Sequence, residues 1–329
     1  MNFEQPDNYK KAAARACCQY SWKASVKLSL MRLSENATFL VTELSESRPR
    51  RVMRVSRAGY HTAGEIQAEI EWLERLSRQN QVRTVRPIKN CQGSFLTGAE
   101  QAGQKYTCVL FEYLGGIHPD PSGDKTAVED FRQIGRIAAL LHRNAGEWEE
   151  SRFLARACWD YDHMVGTKGL FGDWRKCGEL SPGESRFLEK ICFRIRERLW
   201  EYGRTDDNYG LIHSDLRAAN LLKDEDTMQV IDFDDCGFGW HMYDLAASVS
   251  FLEAHPLVTD WIQAWMEGYR TVGVLGGRDI RQIPVFIMAR RLQLLAWVTS
   301  HQDSDPVKEL YGGFAAGTVE LARKFEKML

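Results

Sequence analysis

Long apolar runs are missing from this chain: no stretch approaches the roughly 18 apolar residues of a membrane-spanning helix. The segment Met1 to Asp7 lacks the charged start and apolar stretch of a secretory signal, so a cytoplasmic location is the expectation. No C-x-x-C occurs among the eight cysteines, and only Cys17-Cys18 are adjacent. That removes a zinc or redox-pair reading and leaves reduced core thiols, with Cys236, directly after an acidic cluster, as the thiol to test for modification. Excess charge of one sign is absent as well. At a net −2, with acids and bases interspersed, there is no electrostatic argument for nucleic acid or an anionic membrane, and Arg48, Arg50 and Arg51 read as a solvated hairpin. Repeats and low-complexity segments are lacking. What is present is 329 residues, 44% hydrophobic and 27% charged, enough for two lobes with cores of their own.

The most informative stretch is Leu211-Ile212-His213-Ser214-Asp215-Leu216-Arg217-Ala218-Ala219-Asn220, followed by Asp232-Phe233-Asp234-Asp235. Leu221-Leu222 and Gln229-Val230-Ile231 are short apolar runs around the polar Lys223 to Thr227, which predicts an antiparallel hairpin. Asn220 and Asp232 then face each other at its open end, and the incoming loop carries Asp215 past the same point. Carboxylate and amide oxygens suit Mg²⁺, whereas zinc would want His or Cys. Three acids within four residues after an apolar strand are costly unless a cation neutralises them. The spacing H-x-D-x-x-x-x-N with a later Asp is that of kinases: Asp215 as the base that accepts a hydroxyl proton, Asn220 and Asp232 as metal ligands. ATP and Mg²⁺ are the cofactors this predicts.

On these residues the chain resembles the aminoglycoside phosphotransferase and choline kinase-like superfamily, which includes homoserine kinases and a bacterial stress-response protein kinase. The family motif H-G-D-x-H-x-x-N here carries Ser214 for Gly and Arg217 for the second His. The resemblance implies an α+β, protein kinase-like two-lobed fold. A small β-rich N-lobe with one main helix would span 1–114, and a larger, mostly helical catalytic and acceptor-binding lobe 115–329. It also implies that Arg217 neutralises the transferring phosphate, as a Lys does at this place in eukaryotic-type protein kinases, and that His213 is structural. Gly237 to Ala246 looks like the family segment in which an aspartate, here Asp244, starts a helix and braces the catalytic loop.

Val26 to Leu33 and Ala37 to Leu44 read as two strands around Ser34-Glu35-Asn36, and Arg51 to Val55 as a third. The turn holds no glycine, although kinases normally cover phosphate with a glycine-rich loop there. The resemblance accommodates this, and backbone N–H groups with the Asn36 side chain would meet phosphate. Arg54 falls where kinases place the third-strand lysine that pairs the nucleotide phosphates. The helix predicted around Gly64 to Leu76 supplies its partner: Glu69, which matches the family's E-x-x-W-L, or its rival Glu65. Tyr106 to Gly116 is an apolar strand ending in glycines. By the resemblance it leads to the interlobe hinge, so Phe111, Glu112, Tyr113 and Leu114 flank the adenine.

Beyond Gly116 the chain turns helical, at Phe131 to His142, Leu257 to Tyr269, Val285 to Ser300 and Tyr311 to Leu329, with His142 a packed structural residue. The acceptor pocket is expected between the catalytic loop and these helices. Asp234, Trp240 and Tyr243 lead its candidates, with Asp160, Asp162, Glu253, Trp265 and Trp297 behind them, because aromatic walls with acidic neighbours hold a cationic amine. Residues 145–185, with Trp159, Tyr161 and Trp174, are a candidate cover. The expected function is transfer of the γ-phosphoryl group of ATP to a hydroxyl of an amino alcohol, aminoglycoside or hydroxy amino acid. Two alternatives are a protein Ser/Thr kinase with a protein substrate, which Arg217 favours, and a non-catalytic nucleotide-binding protein, against which the presence of Asp215, Asn220 and Asp232 counts. Neither a nucleic-acid nor a membrane partner is expected.

Overall fold

The computed structural model describes residues 6–34, 36–45, 50–121, 126–225, 227–302 and 305–328, so Glu35 of the first turn and Arg48 lie outside it. The chain begins with α1 (Pro6–Cys17), then β1 (Val26–Leu33), β2 (Asn36–Glu43), β3 (Arg51–Ser56), α2 (Ala63–Gln79), β4 (Arg83–Thr84), β5 (Pro87–Ile88), β6 (Leu96–Gln101) and β7 (Gln104–Glu112). Five of these strands pair in the order β1-β2-β3-β7-β5, with β6 also on β7, in one antiparallel sheet.

Strand alternation decides what each face of that sheet does. Phe39, Val41, Met53, Val55, Cys108 and Leu110 point one way and bury against Tyr9, Ala12, Ala13 and Ala16 of α1. Their neighbours Thr38, Val52, Arg54 and Phe111 point the other way, into a cavity between the lobes. The N-lobe therefore carries a second helix besides the expected one; the buried face of α1 is Tyr9, Ala12, Ala13, Ala16 and Cys17, mostly small residues. Thr62 and Glu65 form a reciprocal capping box at the start of α2, a device worth about 1 kcal/mol that fixes where the helix begins.

The C-lobe continues with α3 (Ala127–Gly146), β8 (Cys158–Trp159), α4 (Tyr161–Met164), α5 (Pro182–Tyr202), β9 (Tyr209–Ile212), β10 (Leu221–Asp224), β11 (Thr227–Val230) and β12 (Gly237–Trp240). The helices α6 (Met242–Ser248), α7 (Val258–Arg270), α8 (Gly277–Ile280), α9 (Ile283–Ser300) and α10 (Asp305–Met328) complete it. The expected hairpin is β10 against β11, with Leu221 opposite Val230. Helices α3 and α7 cross closely because a Cβ on Gly135 would overlap the Trp265 carbonyl, and one on Gly268 the Arg132 carbonyl. Helix α9 is apolar on nearly every side and runs through the middle of the lobe, where such a helix belongs. Of the region 145–185, Trp159 and Trp174 are core residues, Tyr161 packs half-buried against the core, and Phe171 lines the cavity. Among the described residues no helix is long and apolar enough to cross a membrane.

Candidate active site

The catalytic loop leaves β9 at His213 and is held from beneath by Asp244. One oxygen of this fully buried carboxylate accepts the Ser214 N–H at 2.7 Å; the other accepts the His213 N–H at 3.1 Å and faces His142 Nε2 at 2.9 Å. The His213 ring packs on Phe233 with Nε2 3.2 Å from the Ile231 carbonyl, and burial lowers its pKa. Ser214 takes φ +68°, the left-handed region where glycine is at ease. Its hydroxyl donates to the Asp235 carbonyl at 2.6 Å, a bond that helps offset the cost of about 1 kcal/mol of a side chain there.

This loop delivers Asp215 to the cavity. Its Oδ1 is ion-paired with Arg290, while Oδ2 accepts from Arg217 Nε at 3.2 Å and Asn220 Nδ2 at 2.6 Å. Burial pushes the carboxyl up, but the guanidinium groups of Arg217 and Arg290 outweigh it and hold the group at about 2, ionised at neutral pH. Arg290 is itself 3% exposed, on α9.

Asn220 and Asp232 stand at the open end of the hairpin, where the Ile231 N–H donates to the Asn220 carbonyl at 2.9 Å. With its amide nitrogen on Asp215, Asn220 turns its Oδ1 inward, buried and without a hydrogen-bond partner. Asp232 sits at φ +64°, and burial together with the adjacent Asp234 charge pushes it up to about 6. An orphaned amide oxygen beside a carboxylate that needs a counter-charge fits a hard divalent cation.

Arg54 meets Glu69 in a two-point ion pair of 2.8 and 2.5 Å, both buried. Glu65 is engaged instead at Thr62. Arg54 also lies 3.3 Å from Asp234, whose other oxygen accepts from Asn36 Nδ2 at 2.8 Å and faces His61 Nε2 at 3.5 Å. Burial pushes Asp234 up, yet Arg54 and His61 bring it well below the carboxylate range. Asp234 thus lines the cavity on the Arg54 side and ties the first hairpin to the C-lobe. Asn36 lines the cavity with both ends of its amide engaged, since its Oδ1 accepts the Arg57 N–H at 3.3 Å.

Asn36, Arg54, Glu69, Asp215, Arg217, Asp232, Asp234 and Arg290 open onto one cavity of about 450 Å³, which the buried Asn220 meets through its bond to Asp215. Val52, Phe111 to Leu114, Leu222 and Ile231 form an apolar wall beside the hinge, which is strapped to β10 by the paired backbone bonds of Ile117 and Lys223. Gly116 is required at that strap: its φ is +131°, and a Cβ would lie 2.8 Å from the Lys223 carbonyl oxygen. Phe171, Phe251, Leu294 and Trp297 form a second wall beyond Asp215, and Asp235 also lines the cavity.

Two leading acceptor candidates do not reach it. Trp240 is 3% exposed, donates to the Gly203 carbonyl at 2.7 Å and packs on Tyr209 and Phe286. Tyr243 is wholly buried behind Arg290, bonded to it at 3.0 Å and to Gln293. Of the others, Trp265 packs on Tyr269, Glu253 pairs with Arg291, Asp160 caps α4, the exposed Asp162 lies within α4, and only Trp297 lines the cavity. Cys236 is 1% exposed and burial pushes it up to about 12, so it is no target for modification. Arg290, Asp235, Phe171, Phe251 and Leu294 were missed. Arg290 left a trace as a charge inside the apolar run of α9, and Asp235 as the last acid of the cluster after β11.

The sequence model of a phosphotransferase enzyme family matches residues 30–282, which hold every cavity-lining residue named above except Arg290, Leu294 and Trp297. The chain belongs to that phosphotransferase family. It is similar to the solved structure of the microcompartment-associated aminopropanol kinase, at 35% identity and TM-score 0.87, over 96% of this chain and 97% of that one. It is also 20% identical over 320 residues to the amicoumacin kinase of Bacillus subtilis strain 168, covering 93% of this chain and 90% of that protein. The solved amicoumacin kinase hAmiN, in complex with AMP-PNP, Ca²⁺ and Ami, shares the fold at TM-score 0.76 and 17% identity, over 99% of this chain and 98% of that one. This phosphotransferase is accordingly a small-molecule kinase with an antiparallel-sheet N-lobe and a helical C-lobe.

Proposed function

We propose that the protein moves the γ-phosphoryl group of ATP to the hydroxyl of a small amino alcohol. The observation that carries this reading is the meeting of Asp215, Asp232 and the Arg54–Glu69 pair on one cavity with two walls, with Asn220 bonded to Asp215 behind it. In this reading residues 1–114 hold the nucleotide, with the adenine against Phe111 to Leu114 and the phosphates facing Arg54. Residues 115–329 carry the chemistry. Asn220 and Asp232 would hold Mg²⁺, which supplies charge neutralisation at the phosphates when bound. Asp215 accepts the acceptor's proton, and Arg217 offers a cation to the transferring group. His213 and Asp244 keep the loop in shape. Asn36 acts through Asp234 and not on phosphate.

The amine is argued from the acceptor wall. Asp235 is a cavity carboxylate on the Arg290 side, within reach of the Arg290 and Arg156 charges. Its Oδ1 accepts from Tyr60 at 3.0 Å. With Phe171, Phe251 and Trp297 it forms an anionic, aromatic lining suited to a small ammonium group. The likeness to an aminopropanol kinase supports the same class.

The test is transfer of label from γ-labelled ATP and Mg²⁺ to aminopropanol, ethanolamine, choline, homoserine, aminoglycosides and a protein mixture, with Asp215→Asn as blank. Label on a short amino alcohol is the expected result. Label on protein alone, or transfer undiminished in the blank, overturns the reading.

A further inference from the structure

Asp215 carries two guanidinium groups, and the two are held very differently. Arg290 has every nitrogen assigned: Nε donates to Ser250 Oγ at 3.1 Å, Nη1 to Tyr243 Oη at 3.0 Å and Gln293 Oε1 at 3.2 Å, and Nη2 to Asp215 Oδ1. It is 3% exposed and rooted in the buried middle of α9, while Tyr243 and Ser250 come from α6 and the segment just after it. Turning this fork away would break four hydrogen bonds in the interior. Arg217 reaches Oδ2 through Nε alone, its side chain is 24% exposed, and it lies 5.9 Å over the Phe251 ring. A partly exposed single contact of this kind is readily exchanged for a phosphate oxygen.

We propose that Arg290 is a positioning residue of the transfer reaction: by holding Oδ1 of Asp215 it fixes the carboxylate so that Oδ2 is the atom presented to the acceptor hydroxyl. This rests on Asp215 being the base. In the step, the acceptor oxygen bonds to the γ-phosphorus as the bond from that phosphorus to the β–γ bridging oxygen breaks. The bond's electron pair leaves on ADP, and the acceptor's proton goes to Asp215 Oδ2. Asn220 Nδ2 steadies Oδ2 from the metal side at 2.6 Å, so with Arg290 in place both the tilt and the twist of the carboxylate are set. Without Arg290 the carboxylate keeps its place in the loop but loses its fixed plane, and a proton acceptor so loosened loses rate without losing nucleotide.

The experiment is steady-state kinetics of the full chain with its best amino alcohol, on Arg290→Gln, Arg290→Lys, Ser250→Ala and Tyr243→Phe, with melting curves for each. Arg290→Gln is expected to lower kcat on the order of a hundredfold with KM for ATP changed by less than about twofold, and Arg290→Lys to recover part of it. Ser250→Ala and Tyr243→Phe, each removing one anchor of the fork, are expected to show smaller falls of the same kind. Placed on Asp215→Asn, Arg290→Gln is expected to lower the residual turnover no further. An unchanged kcat in Arg290→Gln, with Asp215→Asn inactive, overturns the proposal and leaves the base assignment standing. Full turnover in Asp215→Asn overturns the base assignment itself. Should Arg290→Gln fail to fold, Ser250→Ala decides: a kcat fall at constant KM for ATP supports the proposal, and joint loss of melting temperature and ATP affinity, or no loss at all, overturns it.

Discussion

Asp215→Asn keeps the shape of the side chain while removing its basicity. Turnover is expected to fall on the order of a hundred- to ten-thousandfold, and binding of a nucleotide analogue followed by calorimetry to stay near wild type. His61 makes a prediction of another kind. Its imidazole is 9% exposed and faces Asp234 and Glu65, with Arg156 and Asp235 close by. Burial pushes its pKa down, yet Asp234 more than compensates, so the folded value lies above the ordinary 6.5. A raised histidine stabilises the fold fully below about 6.5, the unfolded value, and that contribution fades as pH rises through the folded one. The melting-temperature deficit of His61→Asn is therefore expected to be larger at acidic than at alkaline pH; an equal deficit throughout would remove the charge from His61. Neither the raised histidine nor the Arg290 clamp was legible in the sequence, because each depends on a partner carboxylate far along the chain. Asp215, Asn220 and Asp232 were legible because one hairpin and one loop bring them together.

At the scale of elements, local pattern served where the partner was local. The strands β1, β2 and β3, the helix α2 and the β10–β11 hairpin all follow from alternation, helical spacing and a polar turn. Helix α1 was not read although Tyr9, Ala12, Ala13, Ala16 and Cys17 recur at helical spacing, because alanines mark a buried face weakly and their burial depends on the sheet beneath. The α3–α7 crossing escaped for a similar reason. Gly135 and Gly268 each look like a weakness inside a helix, and both are where a backbone carbonyl of the other helix comes to rest. Gly135→Ala is expected to destabilise the fold by about 1–3 kcal/mol, the range of overpacking, where the same change at an open helical site would stabilise it. Urea unfolding separates the two signs.

At the scale of the whole molecule, the two lobes are joined by polar ties at the site itself. Arg54 and Asn36 reach Asp234, Tyr60 reaches Asp235, and Arg156 bonds the Cys236 carbonyl on one side and the Glu65 carbonyl on the other. The wall beyond Asp215 draws Phe171, Phe251 and the α9 pair Leu294 and Trp297 from three places in the C-lobe, and no short-range pattern could have announced it. Because the nucleotide would lie across these ties, its binding is linked to global stability. A ligand that binds the folded state alone stabilises it by about 2.7 kcal/mol at a hundredfold excess over its Kd. Mg²⁺ with AMP-PNP is thus expected to raise the melting temperature by several degrees, and a chelator to cancel most of the rise. In Asp232→Ala the Mg²⁺-dependent part should vanish while the unliganded protein melts no lower than wild type, since a carboxylate that burial and Asp234 push up to about 6 is an unfavourable charge until a cation arrives. A full Mg²⁺-dependent rise in that variant would move the metal to other ligands.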